Sequence, residues 1–310
     1  MTGQIKRVAV VGTGVIGASW TALFLAKGLQ VSATDTASGA EERLNRYVED
    51  AWPALQTLGI AGVGRPPQLR FTRELREAVA DADLVQENGP ERIEFKKRLY
   101  GELDSLLPPN VIIASSSSGL SMSDIQSGCH QHPERCVIGH PFNPPHLIPL
   151  VEIVGGSKTS EDTIARVTAF YEALGKQTIR LRKEVVGHVA NRLQAALWRE
   201  MVHLVAQGVV SVADADKAVC WGPGLRWGVM GPALLFHLAG GAGGIEHFFE
   251  HFTQPMNDWW SALGEPQMTP EIRKLMVDGA LLEAGPRSLD ALALQRDNAL
   301  LGLLRVRAGT

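Results

Sequence analysis

Through the first half of the chain, short apolar runs alternate with longer stretches of helical periodicity. The runs at 7–11, 30–34, 83–86, 111–114 and 136–139 are rich in Val, Ile and Ala, and polar or turn-forming residues bound them. They predict β-strands. Between them, residues 41–58 and 92–106 carry apolar side chains three and four positions apart, which predicts amphipathic helices. Strand and helix in alternation predict an α/β fold built on a doubly wound parallel sheet. Residues 60–68 contain Gly62, Gly64, Pro66 and Pro67 and predict a loop.

The texture changes near residue 187. From Ala190 onward Leu193, Leu197, Met201, Leu204 and Val205 recur at helical spacing, and helical patterns run to the end, broken at 222–224, 231–232, 240–244 and 285–286. This predicts an N-terminal sheet domain at 1–187 and a C-terminal all-α domain at 188–310. At roughly 150 residues per domain, a chain of 310 residues agrees with two.

Composition narrows the class of function. Thirty Lys and Arg against 33 Asp and Glu leave no broad basic surface for nucleic acid. No stretch approaches 18 consecutive apolar residues, which argues against a membrane span. The N-terminus enters a strand pattern directly, without the pattern of a secretory leader. Three cysteines, Cys129, Cys136 and Cys220, suit a reducing compartment better than a disulfide framework, so the expected location is cytoplasmic.

The first strand runs into Gly12-Thr13-Gly14-Val15-Ile16-Gly17, and a helical pattern follows. Gly12 permits the tight turn, Gly14 admits a pyrophosphate to the backbone, and Gly17 lets helix pack on strand. The helix N-terminus, starting at Val15 and Ile16, offers free N–H groups to the phosphates. The second strand ends at Asp35, 18 residues beyond Gly17, where a carboxylate accepts from ribose hydroxyls. That carboxylate would repel a 2′-phosphate, and Thr36-Ala37-Ser38 provides no Arg for one. The reading is a Rossmann site for NAD; the plainer alternative is a Gly-rich turn binding something else.

Candidate chemistry lies farther along. Ser115-Ser116-Ser117-Ser118-Gly119-Leu120 follows a predicted strand, at the carboxyl end of the sheet where open α/β folds bind ligands. Then come Gly139-His140-Pro141-Phe142-Asn143-Pro144-Pro145 and the extended run Leu150-Val151-Glu152. Oxidising a secondary alcohol needs a base for the hydroxyl proton, a task suited to His. Glu152 could hold the other imidazole nitrogen.

Taken in order and spacing, the glycine motif, Ser118-Gly119-Leu120, His140-Pro141-Phe142-Asn143-Pro144, Leu150-Val151-Glu152 and Gly187-His188-Val189-Ala190-Asn191-Arg192 resemble the 3-hydroxyacyl-CoA dehydrogenase superfamily, over nearly the whole chain. The resemblance implies His140 as general acid/base and Glu152 as its orienting partner. It implies that Ser118 and Asn191 hold the substrate oxygens, and that Glu91, Lys96, Ser118 and Asn143 contact the cofactor. Asn191 can instead be a helix N-cap, and Lys96 can instead lie on a solvated helix face.

Within the superfamily, Ala51-Trp52-Pro53-Ala54-Leu55, Gln86-Glu87-Asn88-Gly89-Pro90-Glu91-Arg92 and Gly222-Pro223-Gly224-Leu225-Arg226-Trp227-Gly228 look most like the carnitine 3-dehydrogenase branch, related to lambda-crystallin and gulonate 3-dehydrogenase. That branch acts on small free 3-hydroxy acids. No Lys occurs from Gly28 to Phe95, a poor supply of cations for CoA phosphates. Carnitine carries a trimethylammonium group, which aromatic faces attract. Trp198 and Trp227 are candidates for that contact and Arg226 for the substrate carboxylate; core packing, an interface and a braced turn are the alternatives. The expected reaction is therefore oxidation of L-carnitine to 3-dehydrocarnitine. A short-chain 3-hydroxyacyl-CoA dehydrogenase, a gulonate 3-dehydrogenase and a lambda-crystallin-like nucleotide-binding structural protein remain open. The resemblance also implies a homodimer formed through the C-terminal domain.

No metal site is expected. Cys129, His130, His132 and Cys136 match no zinc spacing. His247 and His251 share a predicted helix face, but Glu246 and Glu250 form no third-ligand pattern with them, and the 240–244 glycine run lacks the Lys and Ser or Thr of a P-loop.

Overall fold

The computed structural model describes residues 5–308; Met1–Gln4, the start of the segment read as lacking a leader, lie outside them. The chain divides into two compact units, Met1–Asn191 and Arg192–Thr310.

The first unit runs β1 (Arg7–Val11), α1 (Val15–Ala26), β2 (Gln30–Thr34), α2 (Ala40–Thr57), β3 (Arg70–Thr72), α3 (Leu75–Val79), β4 (Leu84–Glu87), α4 (Ile93–Leu106), β5 (Ile112–Ser115), α5 (Met122–Ile125), β6 (Cys136–Pro141), β7 (Leu150–Gly155), α6 (Glu161–Ala173) and β8 (Gln177–Arg180). The eight strands form one sheet in the order β3-β2-β1-β4-β5-β6-β7-β8. The chain winds outward from β1 in both directions, as a doubly wound fold requires. The expected strands and helices form within one or two residues of their predicted bounds, and β3, β7 and β8 complete the edges.

Alternating strand residues feed two cores. Val8, Val10, Val31, Ala33, Ile112, Val137 and Val151 pack with Trp20, Phe24, Leu44, Val48 and Phe170 from α1, α2 and α6. Ala9, Val11, Val85, Ile113 and Ile138 pack with Val79, Tyr100, Leu103 and Met122 from α3, α4 and α5. Both faces are covered, which explains why the strands read as nearly continuous apolar runs.

Two strands depart from the all-parallel expectation, β7 and, because it pairs parallel with β7, β8. β7 runs antiparallel to β6, with His140 directly opposite Glu152. The link between them, residues 142–149, is too short for the crossover a parallel neighbour needs.

Helix α7 (Ala190–Ala206) starts at the end of the first unit and continues into the second. The second unit adds α8 (Val212–Trp221), α9 (Pro223–Trp227), α10 (Pro232–Ala239), α11 (Gly244–Ala262), α12 (Pro270–Ala284) and α13 (Leu289–Ala308). The breaks at 222, 228–231 and 285–288 follow the expected Gly and Pro positions, and the 240–244 run joins α10 to α11. Its main buried cluster is small: Met201, Val202, Val205, Val212, Ala215 and Met276. Leu193, expected on the buried stripe of α7, is 68% exposed.

Candidate active site

The glycine turn is built as its sequence requires. Gly12 sits at φ +87°, and a Cβ there would lie 2.9 Å from the Asn88 carbonyl group. A Cβ on Gly17 would strike the Gly12 carbonyl oxygen at 1.9 Å, so helix α1 can approach β1 only through a glycine. Gly14 faces open space at the N-terminus of α1, beside exposed Val15 and half-buried Ile16. Asn88 braces the turn from β4, donating to Gln86 O at 3.0 Å while its Oδ1 accepts from Ser116 at 2.7 Å.

Asp35 stands at the end of β2. Its Oδ2 accepts from Thr13 N–H at 2.8 Å and Thr13 hydroxyl at 3.0 Å, and its Oδ1 from Ala37 N–H at 2.9 Å. Partial burial pushes its pKa up, but these donors outweigh burial and hold the carboxyl below its ordinary value. Gly12, Gly14, Asp35, Thr36, Asn88 and Pro90 line a cavity of about 830 Å³, together with Arg92 at the N-cap of α4 and Phe95 and Arg98 within it. The cradle, the helix N-terminus and the acid together fit a dinucleotide. Arg92 and Arg98 escaped the sequence reading because α4 reaches this cavity only through the fold.

Behind the turn lies a buried charge network. Lys96, 1% exposed, donates to both Glu87 oxygens at 2.8 and 2.9 Å and to Gly89 O at 3.3 Å, and lies 3.8 Å from Glu91 Oε2. The alternative of a solvated face for Lys96 is thereby overturned: α4 packs that side of the helix against the sheet. Glu91 Oε1 accepts from the Ser117 hydroxyl at 2.6 Å and the N–H groups of Ser118 and Gly119 at 2.9 and 3.0 Å. Glu91 therefore shapes the Ser-rich turn that presents Ser118.

The candidate base is held from behind. His140 Nδ1 lies 2.8 Å from Glu152 Oε2, with the two residues 3% and 0% exposed. Burial pushes Glu152 up, but the hydrogen bond from His140 and the N–H groups of Ala190 and Val189 outweigh it, so the carboxyl stays below its ordinary pKa. An ionised carboxylate only accepts, so Nδ1 carries the proton and Nε2 is the basic nitrogen. Glu152 Oε1 takes Val189 N–H at 2.9 Å and Ala190 N–H at 3.0 Å, which satisfies the start of α7.

The same short segment delivers Asn191, whose Nδ2 donates to Ser118 O at 3.2 Å. Asn191 lies one residue inside α7 rather than at its cap. Ser118, His140, Glu152 and Asn191 are thus joined within the first unit by three links, one of them the α7 backbone. Asn143 is exposed, between His140 and the cis-linked Pro144.

His188 was not singled out from sequence. Its backbone is left-handed at φ +50°, its ring lies 5.1 Å from that of His140, and its Nε2 sits 3.1 Å from Ser117 O. Burial lowers its pKa against the opposing pull of the Ser117 carbonyl, with His140 lowering it further. Nothing in local periodicity marks His188; only the turn into α7 buries it.

Trp198 on α7 and Arg226 and Trp227 on α9 lie in the second unit, all three exposed.

A family model described as 3-hydroxyacyl-CoA dehydrogenase, NAD binding domain, matches residues 7–185, and one described as 3-hydroxyacyl-CoA dehydrogenase, C-terminal domain, matches 187–271. The chain belongs to the 3-hydroxyacyl-CoA dehydrogenase family. As a member it is an NAD-dependent oxidoreductase acting on CH–OH groups. Among its relatives, an L-carnitine dehydrogenase of Streptomyces coelicolor is 48% identical over 97% of this chain and 95% of its own. One of Bacillus cereus is 44% identical over 98% and 93%. Among solved structures, 5-formyl-3-hydroxy-2-methylpyridine 4-carboxylic acid 5-dehydrogenase superposes with TM-score 0.85 at 32% identity, covering 99% of both chains. Escherichia coli 3-hydroxybutyryl-CoA dehydrogenase gives TM-score 0.65 at 26% identity, over 89% of this chain and 57% of that one.

Proposed function

We propose that this enzyme oxidises L-carnitine to 3-dehydrocarnitine, with His140 as general base, Glu152 as its orienting partner, and Ser118 and Asn191 holding the substrate oxygen. The observation that carries the catalytic reading is the His140–Glu152 pair, placed directly opposite across β6 and β7. Relatives named L-carnitine dehydrogenase, 43–48% identical along nearly the whole chain, support the substrate.

NAD, when bound, supplies the hydride acceptor. Gly12, Gly14, the α1 N-terminus at Val15–Gly17 and Asp35 would bind and orient it, with Glu91 and Asn143 as further contacts, and Lys96, buried against Glu87, would act only through Glu91. The hydroxyl proton passes to His140 Nε2 as the C3–H bond breaks and the ketone forms. Glu152 stabilises the resulting imidazolium and keeps the tautomer that leaves Nε2 unprotonated. Because oxidation releases a proton, raising pH favours it. Trp198 and Trp227 are proposed to receive the trimethylammonium group and Arg226 the carboxylate.

The decisive experiment follows NAD reduction at about 340 nm, the NADH band, with L-carnitine and 3-hydroxybutyryl-CoA in parallel. Turnover of carnitine alone supports the proposal; turnover of the thioester alone overturns it. NAD binding without turnover of any 3-hydroxy acid, gulonate included, would point to a structural relative.

We further propose a homodimer through the helical unit. Trp259, Trp260, Leu281, Leu282, Leu289 and Val306 are 57–85% exposed there, an unusual display of large apolar groups. We place the enzyme in the cytoplasm, supported by the unjoined thiols of Cys129 and Cys136, whose Sγ atoms lie 3.5 Å apart.

A further inference from the structure

Helix α11 is set against α10 by its aromatic side. Phe248 stacks on Phe236 with ring centroids 4.7 Å apart and on Phe252 at 4.9 Å. At about 100° per residue, position 250 lies about 160° from 248 and 252, and 247 and 251 lie about 100° and 60° from 248, and all three side chains are exposed. One ligand atom from each of His247, Glu250 and His251 lies within 4.8 Å of the other two. His247 Nδ1 and Glu250 Oε2 stand 3.3 Å apart. With metal–ligand bonds of about 2.0–2.2 Å, two ligands of a tetrahedral zinc ion are separated by roughly 3.3–3.5 Å. The pair already has that spacing.

The glycine run ahead of the helix takes part in this arrangement. A Cβ on Gly243 would lie 2.5 Å from His247 Cβ, so the turn's lack of a side chain makes room for the imidazole. His237 Nδ1 accepts from Ile245 N–H at 3.1 Å and fixes the start of the helix one turn earlier. The His pair set aside in the sequence for want of a third ligand thus has one in Glu250, which the helix brings to the same face.

We infer that His247, Glu250 and His251 form a surface site for a divalent transition cation of the zinc type, with remaining positions filled by water. Two imidazoles and one carboxylate select Zn²⁺, Ni²⁺ or Cu²⁺ over Mg²⁺ and Ca²⁺, which favour all-oxygen sets. Binding replaces the proton shared between His247 and Glu250, and it ties successive turns of α11 together. The site lies outside the catalytic residues, so its test does not depend on turnover.

The test titrates the full-length protein with ZnCl₂ alone by calorimetry, with MgCl₂ as control, and compares His247→Ala, His251→Ala and Glu250→Gln. All three side chains are exposed, and the melting temperature without metal confirms that each variant folds. Since outer-shell partners alone are worth about 10–100-fold in metal affinity, losing either His should weaken Zn²⁺ binding at least about tenfold. Glu250→Gln should weaken it less, and Mg²⁺ should give no binding at this face. Equal Zn²⁺ affinity in the wild type and both His variants, or no Zn²⁺ binding at all, overturns the inference.

Discussion

In the sheet unit charged side chains go inside, whereas in the helical unit large apolar ones stay outside. Lys96 meets Glu87 at 1% and 0% side-chain exposure, Arg135 meets Asp104 at 3% and 2%, and Lys176 is buried over the Trp20 ring with its Nζ donating to the Pro145 and Ile148 carbonyls. Each buried cation is tied to a segment near the site: Lys96 to the Glu91 anchor, Arg135, which immediately precedes β6, to Asp104, and Lys176 to the loop after His140. The helical unit has no comparable buried pair among the described residues, and its ion pairs lie in solvent. The contrast teaches that the His140–Glu152 geometry sits among buried polar interactions of the sheet unit, while the helical unit leaves large apolar side chains exposed.

The largest expected effect tests the first half of that comparison. His140→Ala should lower kcat by at least about 100-fold, the usual range for a general acid/base, while NAD affinity by fluorescence titration stays near wild type. Undiminished turnover would remove His140 from the mechanism. Glu152→Gln, which keeps an acceptor for Val189 and Ala190 but weakens control of the His140 tautomer, should cost roughly 10- to 1000-fold in kcat. A loss in KM alone would contradict that role.

Next comes stability. Lys96→Met strands the Glu87 carboxylate in the interior and should cost about 3–5 kcal/mol of unfolding free energy in denaturant melts. By contrast, Lys274→Ala, which removes an exposed i,i+4 partner of Asp278, should leave the melt unchanged. Equal effects would erase the distinction between the two units. Trp259→Ser combined with Trp260→Ser should reduce the molecular mass by light scattering toward that of one chain with little loss of monomer stability. An unchanged mass would move the interface elsewhere.

A further effect is pH-dependent. The native carboxyls of Asp35, Asp104 and Glu152 lie below their unfolded values, so their stabilisation is complete above about pH 4–4.5 and disappears as pH falls through the native values. Lys176 acts in another window. Burial drops it from 10.5 to about 7, so the unfolded chain binds the extra proton between those values and stability rises with pH across them. Lys176→Met should flatten that rise, and an unaltered slope would assign it to other groups.

Much of this was legible in the sequence, for reasons that differ by element. The strands β1 and β2 and helix α2 were readable because the two-residue and 3.6-residue periods are local consequences of burying one face. The Gly12–Gly17 turn was readable because each glycine answers a steric demand within a few residues of itself. His140 and Glu152 were readable as a pair through the family resemblance, but their meeting depends on the antiparallel register of β6 and β7, which no local pattern announced. The resemblance makes Lys96 a cofactor contact, with a solvated face as the alternative, and its burial against Glu87, nine positions away across the β4–α4 turn, was legible from neither. His188 and Arg92 stood inside motifs of the resemblance but carried no assigned role, and Arg98 gave no signal at all.

By itself, then, the sequence determined the alternation of strands and helices, the Gly12–Gly17 turn between β1 and α1, the placement of Asp35 after β2 and the change to helical texture near residue 190, because backbone sterics and apolar periodicity act over a few residues. Only the tertiary structure decided which polar groups are buried and satisfied, that Glu152 serves both His140 and the start of α7, and that a second imidazole stands beside the first. Those depend on packing between residues tens of positions apart, where desolvation makes each partner's placement a property of the whole sheet.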